Sequence, residues 1–406
     1  MQLEFFIARK LIKGADGKNL LSRPAVIIAV ITVMLGVAAI ALSVMIVGGF
    51  KKSISEKLTG FTAHLRISRF DMNNSFETQP VERDITFEKK VRAVKGLKSI
   101  YPFAYKNGII KTDEDVQGIV LKGVDSSFYN SSFQNSISDG GLQFFNSEGK
   151  QPVLISRRLS SMLNKKTDDE LLVYFIQDPP RVRKMKITGI YDTGMEEFDK
   201  LYAFCNLSLI QKLNGWSQDQ VTGYETEVNS FSQINRVKEG IETIIPPLWR
   251  AETIYDLFPQ IFNWLHLIDV NTIIIITLIV AVAVINLIIV LLILILEQSF
   301  FTGVMKTIGA SNASLRKVFI LITGYILLIG MAAGNVLAGF LMFLQYRFKL
   351  ITLPEDSYYM SVMPVSLSPA SLLIINGGVL LVAMLILIIP SAIIRNINPV
   401  SVLRFD

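Results

Sequence analysis

The chain has 406 residues, 51% hydrophobic and only 18% charged, with a formal net charge of +6. Soluble domains average roughly a quarter charged residues, so a single water-soluble globule is excluded, and disorder and collagen-like structure are excluded too. Cys205 is the only cysteine, which rules out an internal disulfide and a four-cysteine metal site.

The charges are not spread evenly. Residues 51–269 have the composition of an ordinary soluble protein, whereas residues 25–50, 270–296, 318–346 and 357–394 contain no charge at all. Each of these stretches exceeds the roughly 20 apolar residues a helix needs to cross a bilayer. The sequence therefore predicts an α-helical membrane protein with four transmembrane helices. A large α+β extracytoplasmic domain is inserted between helices 1 and 2.

In chain order, residues 1–24 come first, with Leu3, Phe5, Phe6, Ile7, Leu11 and Ile12 at helical spacing beside Arg9, Lys10 and Lys13. That pattern predicts a cytoplasmic amphipathic helix lying in the headgroup plane. Residues 25–50 form the first span, read as a retained signal-anchor because the apolar run is about twice a signal-peptide core and no cleavage site follows. The insert, residues 51–269, alternates strand and helix signals. Strands are predicted at Ala63–Ser68, Gly108–Lys111, Gly118–Lys122, Pro152–Ile155, Leu171–Ile176 and Met185–Tyr191. Helices are predicted at Thr86–Val94, Ser156–Leu163, Leu207–Leu213 and Ser232–Ile244, with N-terminal capping at Thr86 and a Ser-x-x-Gln capping box at Ser230. Asn73–Pro80 and Asn130–Gly141 read as exposed loops. His64 and His266, the only histidines, stand singly and read as structural, and Glu196-Glu197 and Asp168-Asp169 read as solvated charges.

Residues 270–296 form the second span, 297–317 a cytoplasmic loop, 318–346 the third span and 347–367 an outside loop. Residues 368–394 form the fourth span and 395–406 a cytoplasmic tail. Asn286, Asn335 and Asn376 fall inside spans and are read as helix-packing groups, together with the small face Gly330-x-x-x-Gly334. None of the four spans contains an ionisable residue, which argues against a proton- or ion-coupled transporter. Orientation follows the basic flanks: Arg9, Lys10, Lys13, Lys18 and Arg23 precede span one. Lys306, Arg316 and Lys317 lie between spans two and three, and Arg395 and Arg404 follow span four. Both termini and the 297–317 loop are thus expected in the cytoplasm and the insert outside. No catalytic residues, no metal site, no cofactor and no nucleic-acid partner are expected. Gly14-Ala-Asp-Gly-Lys-Asn lacks the spacing and hydroxyl of a phosphate-binding loop, so any ATP hydrolysis belongs to another subunit.

Phe5-Phe6-Ile7-Ala8-Arg9-Lys10, Val44–Phe50 followed by Ala63–Ile67, Glu297 with Gly303–Ser311, Tyr358–Val365 and Asn398–Arg404 run along the chain in order. Together with the topology they resemble the FtsX-like/MacB-type ABC transporter permeases, and among these the lipoprotein-releasing permeases LolC and LolE. The resemblance implies a MacB-like outside domain in two lobes and a bacterial inner-membrane location with that domain in the periplasm. It implies a permease subunit that extracts lipoproteins for a periplasmic carrier by mechanotransmission. Two copies of an ABC ATPase, holding ATP and Mg, would drive it beside a second permease subunit, identical or paralogous. The 297–317 loop would be the ATPase-coupling element, through Glu297, Met305, Lys306, Ile308, Gly309, Ala310 and Ser311, with Met305, Ile308 and Leu315 as apolar anchors. Val37, Ile40, Met45, Ile274, Ile279 and Val282 would contact lipid or acyl chains. The turn Asp178-Pro179-Pro180-Arg181 would be a short counterpart of the loop that recruits the carrier. Alternatives within the superfamily are a MacB-like peptide or toxin exporter and an FtsX-like signalling scaffold controlling an outside hydrolase.

Overall fold

The computed structural model of the protein describes residues 2–13, 24–71, 79–111, 116–141, 151–354, 358–366 and 369–388. The tail motif Asn398–Arg404, most of Asn73–Pro80, the Gly14–Asn19 segment and the end of the fourth apolar stretch lie outside these residues. The chain packs as two compact units. One comprises Met1–Lys51, Leu265–Ile351 and Met363–Asp406, the other Lys52–Trp264 and Thr352–Val362.

Helix α1 spans Gln2–Lys13. Its Ile7, Ala8, Leu11 and Ile12 pack on the core of the helical unit, while Phe5, Phe6, Arg9 and Lys10 are exposed. Helix α2 runs from Pro24 to Thr62, well past the apolar stretch that ends at Phe50. The continuation is helical because Ile54, Leu58 and Phe61 recur at i, i+4 and i+7 and are all buried. It stops at Ala63, whose positive φ of 59° breaks the helical path.

The insert is built on one ten-stranded sheet of order β12–β1–β11–β3–β4–β9–β6–β8–β5, with β7 pairing to β3 and β8. Its strands are β1 Leu65–Arg69, β3 Leu97–Lys111, β4 Val116–Val124, β5 Ile137–Gly140, β6 Gln151–Ser156, β7 Glu170–Phe175, β8 Arg181–Tyr191, β9 Tyr202–Asn206, β11 Gly223–Val228 and β12 Trp249–Thr253. A separate pair joins β2 Val81–Glu82 to β10 Gln220–Val221. Two apolar clusters share this one ladder, one around Leu121, Val153, Ile187 and Cys205, the other around Tyr101, Phe128, Phe133 and Phe204. The helices are α3 Ile85–Arg92, α4 Arg157–Leu163, α5 Glu196–Asp199, α6 Leu207–Asn214, α7 Ile234–Glu242 and α8 Ile254–Leu257. Two capping assignments are corrected. Asp84, not Thr86, caps α3 by accepting from the Thr86 N–H at 2.7 Å. Ser230 makes no side-chain cap; its hydroxyl meets that of Ser232 at 3.0 Å.

One ionic cluster lies in the interior of this sheet. Lys122 on β4 donates to Glu225 on β11 at 2.6 Å and to the Phe61 carbonyl at 2.8 Å. Both charged side chains are 0% exposed. Arg66 on β1 donates to the Tyr105 hydroxyl at 3.0 Å and lies 3.8 Å from Glu225. The Lys122 ammonium sits 5.6 to 5.9 Å from the ring centroids of Phe61, Phe103, Phe128 and Phe204. Burial pulls its pKa below the ordinary value, and Glu225 opposes that pull. The last turn of α2 is therefore fastened to the sheet, because a lysine satisfies one of the helix's orphan carbonyls.

Helix α9 spans Pro259–Glu297, α10 Ser299–Thr307, α11 Asn312–Phe348 and α12 Pro369–Leu387. With α2, the helices α9, α11 and α12 are long and apolar enough to cross a membrane. The insert thus lies between the first and second of these helices in the chain, but α9 starts before Val270 and α2 ends after Phe50. Residues 352–362, within the expected 347–367 loop, belong to the unit of the insert. There Leu353 N–H donates to the Ser361 carbonyl at 3.0 Å, and Lys57 donates to the Tyr359 carbonyl at 2.7 Å.

Candidate coupling segment and apolar groove

Among the residues read as packing groups, Asn335 and Asn376 form a reciprocal amide pair at 2.9 and 3.2 Å between α11 and α12. Asn286 does not reach a neighbouring helix; its amide donates to the Val282 carbonyl one turn back at 3.1 Å. Gly330 and Gly334 let α11 approach α2 closely. A Cβ at Gly330 would lie 2.6 Å from Val33, and one at Gly334 2.7 Å from the Met34 carbonyl.

The segment from Glu297 to Ser311 forms a helix and a tight exit. Helix α10 ends at Thr307, Gly309 takes a positive φ of 99°, and the Ser311 hydroxyl caps α11 by accepting from the Ser314 N–H. Glycine is suited to that backbone and a side chain there would be strained. Glu4 of α1 accepts from the Ser314 hydroxyl at 2.9 Å, which sets a carboxylate at the N-terminus of α11. The anchor assignment is corrected. Met305 and Ala310 pack against the helical core, and Leu315 is buried inside it. Ile308 is 75% exposed and Phe300 54%, so these are the apolar groups the segment presents. Phe300 is not among the expected contact residues; Gln298-Ser299-Phe300-Phe301 stands where the resembled family is usually basic and polar, and the sequence carries no sign of which phenylalanine is exposed. Lys306 is half-buried, while Glu297, Gly309 and Ser311 are exposed.

The acyl-contact assignment divides in the same way. Val37, Ile40 and Met45 are buried, with Val37 in the core beside α11, because α2 turns that face inward. Ile274 and Val282 are exposed. Ile279 and Val282 line a groove of about 400 Å³ between α2 and α9, opposite Thr32, Leu35, Gly36 and Ala39. A Cβ at Gly36 would sit 3.4 Å from Ile279, so the glycine keeps the groove open. All eight residues lining it, Leu278 and Ala283 included, are uncharged.

In the insert, Asp178, Pro179 and Pro180 form the exposed turn between β7 and β8, with a cis bond before Pro179. Arg181 ties the base of that hairpin to α6 by donating to the Lys212 carbonyl at 3.0 Å. Leu172, Tyr174, Ile176 and Val182 leave one hairpin face apolar and exposed, and Ile176 is 81% exposed. His64 is buried, its Nδ1 accepting from the Val228 N–H at 3.4 Å, and burial pushes its pKa down to about 4. Asp199 is pushed up to about 6 by burial, against hydrogen bonds from Thr193. Among the described residues no group of three or more metal-ligating side chains occurs.

Four membrane-type helices, a large α+β insert after the first, and a short helical segment between the second and third define the class. This is a polytopic membrane protein with an extracytoplasmic domain. Residues 26–244 match the MacB-like periplasmic core domain, and residues 273–399 match the FtsX-like permease C-terminal region. The chain belongs to the family of FtsX-like permeases with a MacB-like periplasmic core domain. It is a non-catalytic membrane subunit of ABC type, which works with a partner ATPase and a second permease subunit. The chain is 21% identical over 425 residues to the lipoprotein-releasing system transmembrane protein LolE of Haemophilus influenzae, covering 99% of both chains. It is 20% identical over 405 residues to the LolC protein of Xylella fastidiosa, covering 93% of both. The crystal structure of the periplasmic region of MacB from Actinobacillus actinomycetemcomitans matches with 11% identity and a TM-score of 0.35, over 51% of this chain and 95% of that one.

Proposed function

We propose that this permease extracts lipoproteins from the outer leaflet of the inner membrane and passes them to a periplasmic carrier, driven by ATP hydrolysis in the partner subunit. The observation that carries the reading is the uncharged groove between α2 and α9. Its lining is suited to acyl chains, each buried methylene contributing about 0.8 kcal/mol. Relatives named as lipoprotein-releasing proteins align over nearly the whole chain, which supports the same reading. In this account both termini and α10 face the cytoplasm, and Ile308 and Phe300 meet the ATPase as an apolar knob in a groove. Gly309 sets the sharp exit into α11, so a push on α10 is passed to that helix. The exposed β7–β8 hairpin face is the surface offered to the carrier.

The test is release of a triacylated lipoprotein from proteoliposomes that hold the chain with its ATPase, scored as transfer to a soluble acceptor. ATP-dependent release that is lost in Gly36→Leu, which fills the groove, is the expected result. ATP hydrolysis with no release in the unaltered protein sinks the extraction reading and favours signalling or export of a non-acylated cargo.

A further inference from the structure

The adjacent acids Glu196 and Glu197, alike in sequence, are separated by the fold. Glu196 ion-pairs with Arg158 at 2.7 Å and with Lys200 at 2.6 Å. Glu197 is exposed and, among the described residues, has no ion-pair or hydrogen-bond partner. It lines a cleft of about 510 Å³ in the unit of the insert, together with Phe198, Phe258, Trp264 and Tyr359. The rings are set as two edge-to-face pairs, Phe198 with Phe258 at 5.3 Å and Trp264 with Tyr359 at 6.3 Å. The backbone of Tyr359 is held in place by Lys57. Lys57 donates to its carbonyl at 2.7 Å and to that of Gly194 at 3.3 Å, and Tyr359 keeps a left-handed φ of 59°. Burial, and then the nearby charge of Glu197, raises the Tyr359 hydroxyl pKa.

An unpaired carboxylate among four aromatic rings is the chemistry that recognises an organic cation, through ion pairing and the attraction of a cation to ring faces. We propose that the cleft binds a basic side chain, lysine or arginine, of the polypeptide cargo. The proposal rests on the lipoprotein reading above and adds a preference for cargo with a basic residue near its acylated end. The size of the cleft favours a polypeptide over a single lipid amine, because 510 Å³ lies within the range of pockets that enclose whole ligands. Its walls also come entirely from the unit that carries the soluble-type composition.

The test uses the full chain with its ATPase in nanodiscs of phosphatidylcholine. The probes are fluorescent tripalmitoyl-cysteinyl-seryl-tetralysine and its tetraglutamine counterpart, and binding is read by anisotropy. The lysine probe is expected to bind about tenfold more tightly, in line with one ion pair plus cation–π contact. Glu197→Gln should bring that ratio close to one without weakening the glutamine probe, and Glu197→Lys should invert it. Glu197 is exposed, so neither change threatens the fold. Equal affinity in the unaltered protein, or a preference that survives Glu197→Gln, overturns the assignment while leaving the lipoprotein reading in place. Loss of the preference in nanodiscs rich in phosphatidylethanolamine assigns the cleft to a lipid amine and likewise overturns it. Failure of both probes to bind removes the lipoprotein reading and this inference together.

Discussion

Replacing Lys122 with Met keeps most of the side-chain volume while removing its charge and its donor. In the folded protein this leaves Glu225 fully buried, with Arg66 at 3.8 Å its remaining ion-pair partner. It also leaves the Phe61 carbonyl without the bond at 2.8 Å. Breaking a buried ion pair from one side costs about 3 to 5 kcal/mol, and an unsatisfied buried carbonyl costs about 1 to 3 kcal/mol more. A domain of this size loses about 2 to 4 °C of Tm per kcal/mol, so Lys122→Met should lower the Tm by about 8 °C or more. Trp216, Trp249 and Trp264 all fall within Lys52–Trp264, so tryptophan fluorescence of the full chain in detergent follows this domain. The pair Lys122→Met with Glu225→Gln removes both charges and should recover at least half of the loss, since uncharged replacements of buried ion pairs are often near neutral. A Tm within about 2 °C of the unaltered protein for Lys122→Met alone would refute the reasoning. So would a double variant that loses as much as the two single variants together.

Acid sensitivity should show two opposing contributions. His64 has a folded pKa of about 4 against 6.5 unfolded, so its stability contribution is complete above pH 6.5 and is lost as pH falls toward 4. Asp199 is raised to about 6 from 3.8, so its contribution is complete below pH 3.8 and is lost as pH rises through 6. Tryptophan-monitored Tm should therefore fall less between pH 7 and 4.5 in His64→Gln than in the unaltered protein; equal slopes would count against the burial of His64. In the coupling segment, Ile308→Asp should abolish ATPase-driven release while leaving the Tm within about 2 °C, because an exposed substitution seldom costs more than 0.5 kcal/mol. Met305→Asp should instead reduce yield and stability, because that side chain packs on the helical core. Asn335→Leu should weaken packing of α11 on α12 by about 0.6 to 2 kcal/mol, read as a lower aggregation temperature in detergent. Adding Asn376→Leu should restore part of it.

The membrane part of the fold was legible because its signal is composition: four runs without charge cannot be mistaken for an alternating pattern. The insert was legible where strands alternate a buried face with an outward one, as in β7, whose outward residues are exposed, and β8, whose outward residues are exposed or half-buried. It was not legible where both faces are buried. Residues Ile100–Lys106 of β3 are buried without interruption, and β11 is buried at every position while carrying Glu225 and Glu227. Such strands lose the period-two pattern, and buried acids disguise them as surface. The end of α2 lies beyond the charge-free run for a related reason. The apolar stripe Ile54, Leu58, Phe61 continues α2 among lysines and serines, so composition changes where secondary structure does not. For the candidate site, exposed apolar residues do occur on α9 and on the 297–311 segment, as at Ile274, Val282 and Ile308. Facing was not legible, since Val37, Ile40, Met45 and Met305 have the same chemistry as the exposed residues one turn away. The separation of Glu196 from Glu197 depends on Arg158 and Lys200, and the distance in sequence between Arg158 and α5 hides it.

Cys205 sits in β9, fully enclosed by the apolar cluster beneath the sheet, and burial pushes its thiol pKa well above the ordinary value. A thiol reacts as its thiolate, so this one is inert toward oxidants and toward stray thiols of neighbouring proteins. In an oxidising compartment, where an exposed lone cysteine becomes a cross-link or a sulfenic acid, the domain carries sulfur without carrying redox chemistry. The same enclosure leaves the native chain silent to thiol-reactive dyes. A cysteine placed at Ile308 or Ile176, both largely exposed, would thus be the one position labelled, with no native residue to remove first.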